Sequence, residues 1–139
     1  IEEVNRHGKQ WDAVELVEQL RRAVQPGARK NVGYMGVTNT DIYSADNNFL
    51  FGSALPGYGV MSYRRFTADF NKTTPDRRRL LKRASMQCLS SIGFVFGVQR
   101  CSTPTCARAY PHSLKEHDAK SGELCQICRD GFQKIFSKL

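Results

Sequence analysis

The chain contains no apolar run near the ~20 residues that a helical membrane span needs, so such a span is excluded. It has no internal repeat and no low-complexity linker, so nothing in its composition divides it. Acid is scarce: 13 Asp and Glu stand against 21 Lys and Arg, a formal net charge of +8 over 139 residues. Five cysteines are too few for a disulfide-stapled mini-protein, and an odd number cannot all pair. Histidine is limited to His7, His112 and His117. Disorder is excluded from the other side, since Leu, Ile, Val and Phe are too frequent. What is left is one compact, soluble, basic domain spanning 1–139, long enough to bury a core without covalent help. A basic balance favours phosphate-rich or acidic surfaces, and proteins imported into mitochondria share it. A chain opening on Ile1 is expected to be a processed product or a fragment.

Ala13, Leu16, Val17, Leu20 and Val24 recur at spacings of three and four, which predicts an amphipathic helix in segment 1–31, closed by Pro26-Gly27. Short strands are expected at Val32–Thr38, Phe49–Ala54 and Val60–Tyr63. A long helix should start at Thr74-Pro75-Asp76, with Thr74 as N-cap, and end near Gly97. Leu81, Ala84, Cys88, Ile92 and Val95 would form its apolar stripe. The Ser113-Leu114-Lys115-Glu116 capping box predicts a short helix, and Ile127, Phe132, Ile135 and Phe136 a last one over about Gln126–Phe136. The pattern is that of a mixed α/β (α+β) domain.

Cys101 and Cys106 are separated by four residues and Cys125 and Cys128 by two, with eighteen between the pairs. Two short-spaced pairs at that separation can place four thiolates at the corners of a zinc tetrahedron. Two disulfides, or four unconnected thiols, are the alternative. A closed four-thiolate site stabilises a fold and does not activate water, so the expectation is one structural zinc in a 101–139 segment. Cys88, on the helix stripe, reads as a packed small hydrophobe. The histidines read as exposed or capping residues.

These cysteines also carry a resemblance. The chain resembles the archaemetzincins, zinc metallopeptidases with one catalytic zinc and a second, four-cysteine zinc. Ser90 to Cys101 fits the frame H-E-x-x-H-x-x-G-x-x-H-C without a gap, with Gly97 and Cys101 matching, and Cys106 follows at the family's spacing. Ser113 to Glu116, Asp118 to Lys120, Asp41 to Tyr43 (as a loop) and Asn48 to Gly52 are similar to further family segments. The resemblance implies a zincin-like domain with a small mixed sheet, a long active-site-type helix and a C-terminal four-cysteine zinc segment.

The departures from the frame fall on the chemistry. Ser90, Phe94 and Arg100 stand where the resemblance implies histidine ligands, Ser91 where it implies the glutamate base, and Arg108 where it implies a methionine. A catalytic zinc needs three protein ligands and a base, and phenylalanine and arginine offer neither. Phe94 would pack the emptied cleft. The expectation from these departures is a non-catalytic structural or binding subunit of a larger assembly, with no small-molecule substrate. A ribonucleoprotein such as the mitochondrial ribosome comes first, with rRNA as a partner and the mitochondrial matrix ahead of the cytoplasm as location. An accessory subunit of a respiratory or other protein complex comes second, and an active metallopeptidase third. Arg64, Arg65, Arg77, Arg78, Arg79, Lys82 and Arg83 would form the partner-binding surface, interleaved with Tyr58, Tyr63, Phe66 and Phe70.

Overall fold

The computed structural model describes residues 9–139 and, for backbone pairing only, residues 5 and 6; His7 lies outside the described residues. Strand β1 (Asn5–Arg6) pairs antiparallel with β2 (Gln10–Asp12). Asp12 then caps helix α1 (Ala13–Val24), its Oδ1 accepting the Val14 and Glu15 N–H groups at 2.9 and 3.2 Å. The predicted periodicity holds here: Ala13 and Val17 are fully buried, and a 3-10 turn over Gln25–Gly27 ends the run at the proline.

Five strands follow: β3 (Tyr34–Thr38), β4 (Asp41–Ser44), β5 (Asn47–Leu50), β6 (Gly52–Leu55) and β7 (Tyr58–Ser62). They form two small sheets, ordered β1-β2-β4-β5 and β3-β7-β6, each with one parallel pair. Asp41 to Tyr43, expected as a loop, is strand, because β4 pairs parallel with β2. The single strand expected over Phe49–Ala54 is broken at Phe51, whose ring turns into the core with Met61 and Phe66.

Helices α2 (Ala68–Asn71), α3 (Arg77–Val95), α4 (Leu114–Asp118) and α5 (Gln126–Phe136) complete the chain. The N-cap of α3 is Asp76, not Thr74: its Oδ1 accepts the Arg79 N–H at 3.0 Å, and Pro75 stays outside the helix. Its buried face also differs from the expected stripe. Leu81 is 54% exposed, while Arg83, Met86, Gln87, Ser90, Ser91, Gly93 and Val95 are buried. Leu80, Ala84 and Cys88 do pack against the Phe51–Met61–Phe66 cluster. Cys88 Sγ lies 3.0 Å from Met61 Sδ, the packed role expected of it.

Two polar groups inside this core carry consequences. Arg83 is buried and forks onto Asp118, Nε to Oδ1 at 2.8 Å and Nη2 to Oδ2 at 2.7 Å, while Nη1 donates to the Phe66 carbonyl at 2.9 Å. His117, expected to be exposed or capping, is fully buried between Phe51 and Phe66, with ring centroids 5.4 and 4.7 Å away. Neither of its ring nitrogens has a hydrogen-bond partner among the described residues. The Ser113 cap behaves as read, Oγ accepting the Glu116 N–H at 3.2 Å, so the turn it starts drives His117 inward.

Asp118→Ala leaves the Arg83 guanidinium buried without its carboxylate. The expected loss is about 2 kcal/mol, kept modest because Asp118 is partly solvated, and denaturant unfolding measures it. Burial, helped by the Lys120 and Arg83 cations, holds the His117 imidazole down to about 4 from an ordinary 6.5. Between those values the unfolded chain binds the proton that the folded chain refuses. Stability therefore falls as pH drops from 6.5 towards 4, by on the order of 3 kcal/mol in all. His117→Phe should flatten that part of the stability profile relative to the unaltered chain.

Candidate metal centre and adjoining cleft

The loop after α3 brings Cys101 and Cys106 round to the start of α5. Cys106 N–H donates to the Thr103 carbonyl at 3.1 Å and closes a turn, while Ala107 N–H to the Glu123 carbonyl and Ser121 N–H to the Thr105 carbonyl, both at 2.8 Å, tie the two cysteine-bearing segments together. Cys125 is the N-cap residue of α5 and Cys128 lies in its first turn. Both sulfurs therefore sit at the positive end of a helix, where a thiolate is favoured. All four Sγ atoms lie within 4.8 Å of one another, and Cys101 Sγ to Cys125 Sγ is 3.6 Å. Sulfurs at the corners of a zinc tetrahedron stand about 3.8 Å apart, from a Zn–S bond of about 2.3 Å. None of the four is in a disulfide, so that alternative falls.

Backbone N–H groups of Thr103, Arg108 and Cys125 point at these sulfurs, each at 3.4 Å. The Cys128 N–H pulls the Cys125 thiol below its ordinary range, while burial pushes the Cys128 thiol up. A dication reverses the second effect, since a coordinated thiol is deprotonated outright. The donor set, its spacing and its amide surroundings fit one closed zinc site, and zinc is the cofactor. Among the described residues this is the only cluster of three or more metal-ligating side chains.

Beside it, a cleft of about 310 Å³ runs along α3, walled by Asp46 to Ala54, Gln87, Ser90, Ser91, Phe94, Tyr110, Pro111 and His112. Strands β5 and β6, the outer strands of the two sheets, follow one another along it. Gln87 Nε2 donates to Ser91 Oγ at 3.0 Å, and Gly52 permits β6 to approach both: a Cβ there would stand 2.7 Å from Gln87 Nε2. Phe94 is only half-buried and lines the cleft without filling it, which corrects the expectation of a packed one. Arg100 is exposed and stacks 4.4 Å from the Tyr110 ring centre. Ser90, Ser91, Phe94 and Arg100 offer two hydroxyls, a phenyl and a guanidinium, a set that does not fit a zinc held by imidazoles.

The seven basic residues named as a surface have mixed fates. Arg83 is buried on Asp118, and Arg65 forks onto Asp41 at 2.7 and 2.8 Å with Phe49 and Phe70 stacked near its guanidinium. Those two are internal struts, because each is satisfied within the fold. Arg64 bonds Asp69 at 3.0 Å and Arg79 lies 3.7 Å from Asp76. Arg77, Arg78 and Lys82 are exposed. Phe66 is core and Tyr58 stacks on Tyr34, so these aromatics do not form an open platform. Ile127, expected to be buried, is 76% exposed, because Phe132 supplies the inward face of α5. Sequence reasoning missed Gln87 and Tyr110 as cleft walls; the serine pair one turn beyond Gln87 was the available signal.

A long helix beneath a cleft, small sheets on one side and a closed thiolate centre on the other define a zincin-like α/β domain with a structural zinc. The chain belongs to peptidase family M54, which it matches over residues 5–134. It is 38% identical over 101 residues to the archaemetzincin of Pyrococcus furiosus, covering 71% of this chain and 53% of that one. It is 35% identical over 106 residues to that of Pyrococcus abyssi, covering 75% and 56%. The chain thus spans about half the length of the curated relatives it matches. A zinc-dependent peptidase from Methanocorpusculum labreanum superposes with TM-score 0.78 at 28% identity, over 88% of this chain and 74% of that chain. The archaemetzincin of Methanopyrus kandleri gives 0.77 at 29%, over 92% and 67%.

These matches overturn the expected function. The family is a peptidase family, the relatives are archaemetzincins and one matched structure is a zinc-dependent peptidase, so the non-catalytic subunit of a ribosome, another ribonucleoprotein or a respiratory complex gives way to a peptidase-family assignment. The inactive-enzyme reading of Ser90, Ser91, Phe94, Arg100 and Arg108 goes with it.

Elemental analysis of the chain should find about one zinc, retained on dilution and removed by strong chelators or by acid, which protonates thiolates. Cys128→Ser should lower both zinc content and melting temperature, because it removes a buried ligand.

Proposed function

We propose that this chain is a zinc-stabilised peptidase-family domain that receives an extended polypeptide in the cleft along α3. The observation that carries the reading is that β5 and β6, outer strands with one edge each lacking a strand partner among the described residues, both border that cleft. An extended peptide can satisfy such an edge with main-chain hydrogen bonds while its alternate side chains enter the cleft. Membership of peptidase family M54 and the likeness to the zinc-dependent peptidase of Methanocorpusculum labreanum support the same substrate class.

The surroundings suit that occupant. Asn47, Asn48, Gln87, Ser90 and Ser91 supply amides and hydroxyls along the walls, and Phe49, Phe94 and Tyr110 supply apolar faces. Tyr110 is anchored by its hydroxyl donating to Asn47 Oδ1 at 3.4 Å and by the Arg100 stack. Zinc on the four cysteines would hold the 101–112 segment, which carries Tyr110 and His112 in the cleft wall.

The test incubates the zinc-loaded chain with a panel of labelled, unstructured peptides, reading binding by fluorescence anisotropy and cleavage by mass spectrometry in the same samples. Peptides should bind, and Asn48→Trp, a bulky residue at an exposed wall position, should weaken binding about tenfold with zinc content unchanged. Absence of both binding and cleavage across the panel, or equal binding by Asn48→Trp, would sink the reading.

A further inference from the structure

Arg108 is fully buried, and among the described residues no carboxylate lies within ion-pairing distance of it. Its Nη1 donates to the Gln99 carbonyl at 2.8 Å and its Nη2 to the Val98 carbonyl at 2.9 Å. The same Nη1 lies 3.7 Å from Cys128 Sγ. The guanidinium sits between the rings of Phe94, 5.0 Å away, and Phe132, 5.7 Å away. Its Nε has no hydrogen-bond partner among the described residues and faces α3 at Gly93, where any Cβ would lie 2.1 Å from it.

A guanidinium with this burial is costly unless a negative charge compensates it. Neutral carbonyls and rings do so only in part. The nearest source of full negative charge is the cysteine cluster: a dication on four thiolates leaves two negative charges in excess. That excess needs a cation in turn. Buried Lys120 is a second cation within electrostatic reach of Cys106, but its ammonium donates to the Ala107 and Ala109 carbonyls at 2.9 and 3.3 Å and to no ligand sulfur among the described residues. Among the described residues, Arg108 is the one cation that both donates towards a ligand sulfur and reaches the turn that ends α3.

We propose that Arg108 is a charge partner of the zinc–thiolate centre and the positioning residue that couples metal loading to the end of α3 and the Phe94 wall of the cleft. With the thiolates metallated, the guanidinium is compensated and its bonds to Val98 and Gln99 hold the turn after α3. With the metal removed, the four sulfurs are no longer held together as one anionic centre, the buried guanidinium loses that fixed counter-charge, and the turn that it bridges loosens. This role does not depend on what the cleft receives. Gly93 is part of the device, because no other residue lets the guanidinium lie flat against the helix.

Two measurements test it. In the unaltered chain, native-state amide exchange is followed with and without zinc. Removal of the metal should speed exchange across 93–100 by tenfold or more over any change at 77–86, and equal change in both segments would overturn the coupling. In Arg108→Met and Arg108→Lys, zinc affinity is read by competition with a chromogenic chelator and the centre by the thiolate-to-metal absorption of its cobalt(II) form. Arg108→Met should lose roughly ten- to a hundredfold in zinc affinity and shift the cobalt band, with Arg108→Lys in between. A merely structural arginine would leave affinity and band unchanged in any variant that folds, and that result would refute the proposal. If Arg108→Met does not fold, the exchange measurement and Arg108→Lys decide.

Discussion

Four sulfur atoms from two distant stretches of chain converge within 4.8 Å, and everything after α3 is arranged around that convergence. Between Val95 and Gln126 the only helix is the short α4, so this segment has little regular hydrogen bonding of its own. Its order comes from cross-links: backbone N–H groups aimed at sulfur, the ties between 103–107 and 121–123, and the cysteines at the head of α5. Four thiolates this close repel one another until a cation joins them. The centre therefore replaces the apolar core that so short a segment cannot build.

Helix α3 transmits that order to the rest of the molecule. Near its start Arg83 reaches across to Asp118 and the Phe66 carbonyl; near its end Gly93 admits Arg108. Between these points its face is polar, with Gln87, Ser90 and Ser91 turned to the cleft and the β6 approach at Gly52. A helix with such a face cannot be stabilised by area burial alone, and charged side chains pinned at both ends take up the task. Part of the excess positive charge is consequently spent inside the protein. Net charge measures composition, and the structure decides how much of it a partner can meet.

Family membership and this geometry agree on the class of molecule, a zincin-like domain of peptidase family M54. The cleft lies between strand edges and a polar helix face, an arrangement that suits an extended chain better than a compact ligand. Its aromatic wall is fixed from outside by the thiolate segment. Metal and cleft are thus separate places joined by a few side chains.

What was legible in the sequence was what depends on near neighbours. Spacing alone marked Cys101, Cys106, Cys125 and Cys128, because metal ligands must come in short-range pairs to close a tetrahedron. The helices at 13–24 and 126–136 were legible because periodicity and local stop signals are properties of adjacent residues. Strands β2 and β4 were not, since each is short and exists only because the other lies beside it. Nor could sequence show that Arg83 and Arg108 point inward while Leu81 and Ile127 point out. Those orientations follow from which remote groups, a carboxylate at 118 or a sulfur at 128, the fold sets opposite them. The sequence by itself determined the family frame, the metal ligands and the major helices. Tertiary structure alone decided which charges serve as struts, that the cleft stays open past Phe94, and that a buried arginine faces the thiolates, because burial and compensation are settled only when distant segments meet.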